Sequence, residues 1–257
     1  MKVTIFAFAV NDKFPIDVMH RQYKKYMKED FEFILFNDAM DVQMEHNINT
    51  IAACNNIKCV RVPQQIHVIQ NPSEGYAATL NWAMHVYAPQ NNCEIIVLIH
   101  TDVFPICDVN VSEILGEHTV AATTEFRIRN GVGVTYLYPA LTMVNMKRLS
   151  NVQDLDFGLE PGLDTGGRTR EFIQKFPNAV KFLANHQISY FVRTLEGEPL
   201  GEYYKADLEI ARAHGLSAGW VAEGFYHYMA GSQWNAENPV FAAGHKLRMD
   251  LFLKYFY

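Results

Sequence analysis

The chain has 257 residues, 49% of them hydrophobic and 19% charged, and its net charge is −6. That is enough apolar material for a large domain with a substantial core. No long basic run occurs, so nucleic acid and anionic membranes are not expected partners.

Cys54, Cys59, Cys93 and Cys107 form no Cys-x-x-Cys pair, which argues against a zinc knuckle or a thioredoxin-like site and suits a reducing compartment. The opening MKVTIFAFAVNDKF lacks a small-residue cleavage site, and its apolar run is too short to span a bilayer. A soluble, cytoplasmic protein without a membrane-spanning segment is the expectation, and the sequon Asn110-Val111-Ser112 has no secretory signal to act with.

Val3 to Val10 is apolar and β-branched, ends at Asn11-Asp12, and reads as a buried strand. After Pro15, the residues Ile16, Met19, Tyr23, Tyr26 and Met27 recur at helical spacing. Phe31 to Phe36 is a second strand ending on Asn37-Asp38, and weak helical character follows over 40–56. Val60–Val62 and Ile66–Ile69 read as short extended pieces around Pro63. Asn71 to Tyr76 reads as a turn into a helix with the stripe Tyr76, Leu80, Ala83, Met84 and Tyr87, which should stop before Pro89. The apolar EIIVLIHTDVFPI then runs into His100, Thr101 and Asp102. Alternating strands and helices imply a mostly parallel sheet, whose ligands bind beyond the carboxyl ends of the strands.

Past residue 110 the pattern changes. Val120–Arg129 and Val132–Tyr138 flank Asn130-Gly131, a hairpin signal, and Leu141–Met146 is a further strand. DLDFGLEPGLDTGGRTR reads as a loop. Residues 168–184 and 204–214 read as helices, the second closed by Gly215, and 241–257 as an amphipathic helix.

Dinucleotide-binding, P-loop, nucleophile-elbow and zincin motifs are all absent. What remains is hard-ligand chemistry. Asp102, with His100 two residues back on the same strand face, offers oxygen and nitrogen to a divalent cation whose other positions phosphate oxygens fill. The same carboxylate serves equally well as a cap on a neighbouring loop. His227, between two tyrosines, reads as a packed core histidine or as part of a loop in which Gly231 and Ser232 meet phosphate. Asp164 in GLDTGGRTR reads as a general base or as a helix N-cap. Arg168 and Arg170 suit phosphate or solvent, and Asp154, Asp156 and Glu160 are weaker alternatives for the base.

In this order and spacing the segments resemble glycosyltransferases of the nucleotide-sugar-dependent GT-A fold, family 2-like members above all. VTIFAFAVND resembles the first strand, whose loop contacts the nucleotide base, and this places Phe8, Val10 and Asp12 at the donor. FILFNDA resembles the second strand and adds Asp38. NPSEGYAATLNWAM resembles the turn and helix reading N-x-G-x-x-x-x-x-N, and contributes Gly75, Tyr76 and Asn81. IVLIHTDVFP resembles the strand bearing Asp-x-Asp, with His100 in place of the first acid. GFYHYMAGSQW resembles the late loop whose histidine completes the metal site, here His227, followed by Ser232.

The resemblance implies an α/β GT-A (Rossmann-like) fold with a mostly parallel twisted central sheet flanked by helices, and a smaller C-terminal acceptor-side lobe. It implies a single domain over 1–257, with a nucleotide-sugar-binding half (1–105) and an acceptor-binding half (106–257). The activity it implies is hexosyl or pentosyl transfer from a nucleoside diphosphate sugar, UDP- or GDP-linked, to a glycan or other hydroxyl acceptor. Mn²⁺ or Mg²⁺ would sit on Asp102 and His227, His100 and Thr101 would lie at the donor, and Asp164 would be the base. Whether His100 meets metal or nucleotide stays open. Tyr136, Tyr138, Phe157, Trp220, Tyr226 and Trp234 are candidates to stack on sugar faces. The alternatives are a non-catalytic carbohydrate- or nucleotide-binding module on the same fold and a nucleotidyltransferase, whose glycine-rich first loop FAVNDKFP lacks.

Overall fold

Val3–Ala9 sends Val3, Ile5, Ala7 and Ala9 to one side and Thr4, Phe6 and Phe8 to the other, and all seven residues are buried. Such a strand fits only the middle of a sheet covered on both faces. In the computed structural model, which describes residues 2–10, 15–67, 71–187, 199–217, 219–228 and 239–257, this strand is β1. The others are β2 (Phe31–Asn37), β3 (Lys58–Arg61), β4 (Ile95–His100), β5 (Val103–Pro105), β6 (Val120–Arg129), β7 (Val132–Asn145), β8 (Val180–Phe182), β9 (His186–Gln187), β10 (Trp220–Ala222) and β11 (Phe225–His227). The chain divides into two compact units: residues 1–12, 27–100 and 109–183, and residues 13–26, 101–108 and 184–257.

The first unit holds a seven-stranded sheet in the order β3-β2-β1-β4-β7-β6-β8. Pairs β2–β3, β1–β2, β1–β4 and β6–β8 are parallel, and β4–β7 and β6–β7 are antiparallel. The sheet is therefore mostly parallel, as expected. One face presents Phe6, Phe8, Ile34, Phe36, Ile96 and Leu98 to Leu80, Met84 and Tyr87. Full burial of a Phe, Ile, Leu or Met side chain contributes about 1.5–3 kcal/mol of transfer free energy.

The helix after β3 begins earlier than its apolar stripe suggested. Asn71 accepts N–H bonds from Ser73 and Glu74, so NPSEG is the first turn of Pro72–Trp82. Nor does it stop before Pro89. Residues Ala83–Tyr87 widen to π geometry, the Ala88 N–H reaches Ala83 O, and helix resumes over Ala88–Gln90. The looser turn absorbs a proline that lacks its own N–H. Ile66 lies in a helical turn, Gln64–His67, and not in an extended piece, while residues 68–69 fall outside the described ones.

Asn130 (φ 50°) and Gly131 (φ 76°) make the hairpin turn between β6 and β7. The two strands expected over 132–146 are one. Pro139 sits inside it where the β6 register shifts between Ala122 and Thr124, so its missing donor costs no ladder bond. The helix expected over 168–184 is only Thr169–Lys175, because Pro177 ends it and β-branched Val180 opens β8.

The second unit holds a sheet in the order β5-β11-β10-β9, antiparallel throughout. Helices Ile16–Tyr26, Pro199–Ala213 and Pro239–Phe256 belong to it. Tyr23 donates its hydroxyl to Val103 O at 3.2 Å. Phe104 meets Tyr226, Phe252 and Phe256 edge-on at 5.3–5.5 Å. Among the described residues, no helix is long and apolar enough to cross a membrane.

Candidate functional site

Parallel pairing sends the chain out of β1, β2 and β4 at one edge of the seven-stranded sheet. Ala9 is level with Asn37, and Phe8 with His100. Asp38 lies on that edge, 7% exposed. The Thr79 hydroxyl donates to its Oδ2 at 2.8 Å, and its own N–H donates to Ala9 O at 2.8 Å. The loop around it is clamped by Arg61, which donates to Asn37 O (2.8 Å) and Ala39 O (2.7 Å) and pairs with Glu45. Nothing in the sequence pattern singled out Arg61 or Thr79, because their partners lie 22–24 and 41 residues away in the chain.

The other expected donor residues on this unit divide by burial. Phe8 is core: 5% exposed, its ring stacks on Phe36 at 5.2 Å. Val10 is 46% exposed. Tyr76 and Tyr138 set their rings edge-on to the His100 imidazole at 5.1 and 5.9 Å. Gly75 sits in the first turns of the helix, where its N–H donates to Asn71 O. Asn81 donates to Asp156 Oδ1 (2.6 Å) and accepts from the Phe157 N–H (2.8 Å), so its amide ties the helix to the following loop. Asp12 and Ser232 lie outside the described residues.

Asp164 is half-exposed. Its Oδ1 accepts from the Thr165 N–H (2.8 Å) and its Oδ2 from Arg127 (3.3 Å). It does not cap the next helix, whose N-cap is Arg168. Tyr136 shares this network: its hydroxyl donates to Glu125 at 2.6 Å and accepts from the Asp164 N–H, and burial pushes its pKa up. Thr165 donates to Ser73 O at 3.1 Å and binds the loop to the start of the Pro72–Trp82 helix.

Thr101 and Asp102 form the turn that leads from β4 into β5, so Asp102 stands at the head of the second unit's sheet. β5 pairs with β11 so that Val103 faces His227, and the Tyr228 N–H continues the ladder onto Asp102 O at 2.9 Å. This register places His227 Nε2 3.2 Å from Asp102 Oδ1, with the residues 2% and 5% exposed. The Trp220 ring lies against the imidazole at 4.8 Å. His227 ends strand β11 and is packed, one of the two readings of its sequence, because Glu223 (φ 48°) and Gly224 (φ 82°) turn the chain just before that strand; Gly231 and Ser232 of the loop reading lie outside the described residues.

A buried carboxylate oxygen and an imidazole nitrogen this close make a donor set suited to a divalent cation. His100 closes β4 in the first unit, two residues earlier in the sequence. Of the aromatic candidates for sugar stacking, Tyr136, Phe157 and Tyr226 are wholly buried and present no face to a ligand. Trp234 lies outside the described residues.

No protein-family model and no curated protein sequence matches the chain. Solved structures do. A crystal structure of the galactosyltransferase LgtC in complex with donor and acceptor sugar analogues matches 100% of this chain and 97% of its own, at 12% identity and a TM-score of 0.50. An active-site mutant of LgtC matches over the same shares at 12% identity and a TM-score of 0.54. The chain thus has the GT-A fold of these glycosyltransferases: α/β, with a seven-stranded central sheet flanked by helices.

Proposed function

We propose that the protein is a glycosyltransferase that takes its sugar from a nucleoside diphosphate donor and uses a divalent cation, Mn²⁺ or Mg²⁺. The observation that supports this reading most is the Asp102–His227 pair, buried and 3.2 Å apart, on a chain whose fold matches LgtC from end to end. LgtC was solved with donor and acceptor sugar analogues. Asp102 and His227 would hold the cation, with His100 a ligand or a donor contact. Once bound, the cation would offset the charge on the leaving diphosphate. Tyr76 and Tyr138 would orient the His100 imidazole, and Asp38, fixed through Thr79 and the Arg61 clamp, would meet the nucleoside. Asp164 is the acceptor-side carboxylate of this reading.

A thermal-shift panel of UDP, GDP, CDP and dTDP, each with and without Mn²⁺, tests it on the wild type and Asp102→Asn. A ligand that binds only the folded state raises its apparent stability, by about 2.7 kcal/mol at a hundred times Kd. The expected result is a shift for one diphosphate that needs Mn²⁺ and disappears in Asp102→Asn. A Mn²⁺-dependent shift that survives the substitution would remove Asp102 from the metal. Diphosphate binding without sugar transfer or donor hydrolysis would point to a binding module.

A further inference from the structure

His227 is flanked by two tyrosines, and strand alternation sends them to the face opposite its own. Both flanks are tied to one buried ion pair. The Tyr226 hydroxyl donates to Asp207 Oδ2 at 3.3 Å. Tyr228 O accepts from Arg248 Nη2 at 2.8 Å, and the guanidinium lies over the Tyr228 ring at 4.5 Å. Asp207 and Arg248 grip each other through two parallel bonds, Nε to Oδ1 at 2.7 Å and Nη2 to Oδ2 at 2.9 Å, and both are wholly buried. Arg248 Nη1 adds a bond to Ser217 O at 3.1 Å, just ahead of β10.

Burying two charges costs more in desolvation than their attraction commonly returns, and well-packed apolar residues in their place are often no less stable. The bonds of this pair are aimed instead at the chain on either side of His227. Tyr228 is the residue whose N–H holds Asp102 O. One path therefore runs from Asp207 through Arg248 and the backbone of Tyr228 to Asp102.

We infer that Asp207 and Arg248 are positioning residues: they fix the Tyr226–Tyr228 strand so that the His227 imidazole stays in register with the Asp102 carboxylate. The consequence for metal binding rests on the function proposed above; the positioning itself does not.

The test uses the full chain, the double variant Arg248→Met/Asp207→Leu, which removes both charges at similar volume, and Arg248→Lys, which keeps the charge but cannot reach both Asp207 and Tyr228 O as a fork. Amide hydrogen exchange at Tyr228 reads the bond to Asp102 O without any metal. Its protection should fall roughly tenfold or more in the double variant and less in Arg248→Lys, while the protection of β1 and β4 holds. Mn²⁺ affinity, read from the paramagnetic resonance signal of the free ion, should weaken by about 10–100-fold, as for other residues that orient ligands. Unchanged Tyr228 protection in the folded variants would overturn the inference whatever the metal does. Lost protection in the variants, with no Mn²⁺ binding even by the wild type, would sustain the positioning role and sink the metal reading.

Discussion

Gly166 lies in the Asp164 loop at φ +91°, and a Cβ built on it would stand 2.3 Å from Leu137 O of β7. Real contacts of this kind stay beyond 3.0 Å, so alanine must move the strand or the loop by at least 0.7 Å, the difference of the two distances. Neither moves freely. The Gly166 N–H donates to Phe157 O at 2.7 Å, and Thr169 Oγ1 donates to Gly166 O at 2.6 Å while accepting from the Leu137 N–H. The left-handed backbone costs about 1–2 kcal/mol and forced overpacking a further ~1–3 kcal/mol, so Gly166→Ala should lose about 2–5 kcal/mol. Gly131 supplies the control: φ is +76° there, but nothing lies within 4 Å of its Cβ position. Gly131→Ala should carry the backbone cost alone, about 1–2 kcal/mol. Urea titrations of both variants, followed by circular dichroism, measure the two losses. Equal losses would refute the argument, since they would leave no energy in the contact with Leu137.

Asp164→Asn keeps the loop's N–H contact and removes the carboxylate charge facing Arg127. If Asp164 is the base, donor binding should be unchanged and transfer slowed, by about 10²–10⁴-fold; a wild-type rate would leave it as a loop brace. A second prediction concerns acid. Hydrogen bonds from Arg170, and less strongly from Arg129, hold the Glu160 carboxyl down at about 2, against an ordinary 4.5. Because the folded value is the lower one, the ion pairs stabilise fully above 4.5, and that contribution is lost as pH falls toward 2. Glu160→Gln should therefore cost about 1 kcal/mol at neutral pH and progressively less as pH falls from 4.5 through 2. A difference from wild type that stays constant across that range in thermal scans would contradict the assignment.

The sequence by itself determined β1, β2, β4 and β6 and their order of appearance, but not the four short strands from β8 onward. β1, β2 and β4 are apolar runs bounded by polar pairs, and the Asn130-Gly131 turn needs left-handed backbone that those residues supply cheaply. These are local properties, set by periodicity and by the conformations a residue tolerates. The candidate site was legible to the same depth. Asp102 and His100 stand at the end of an apolar strand, and His227 lies in an aromatic segment; each could be named as a ligand.

Only the tertiary structure decided what surrounds them. The 3.2 Å between His227 and Asp102 comes from the β5–β11 register, which joins residues more than a hundred positions apart and leaves no trace in either segment's spacing. The same holds for Arg248, which lies among apolar residues of a terminal helix and finds Asp207 41 residues away. It holds also for the tyrosines: Tyr136 and Tyr226 look as available to a sugar as Tyr138 does, until burial separates them. A side chain's type and its period fix which element it joins and on which face it stands. Which groups share a low-dielectric pocket depends on long-range pairing, and that pairing sets the chemistry of His227 and Asp102.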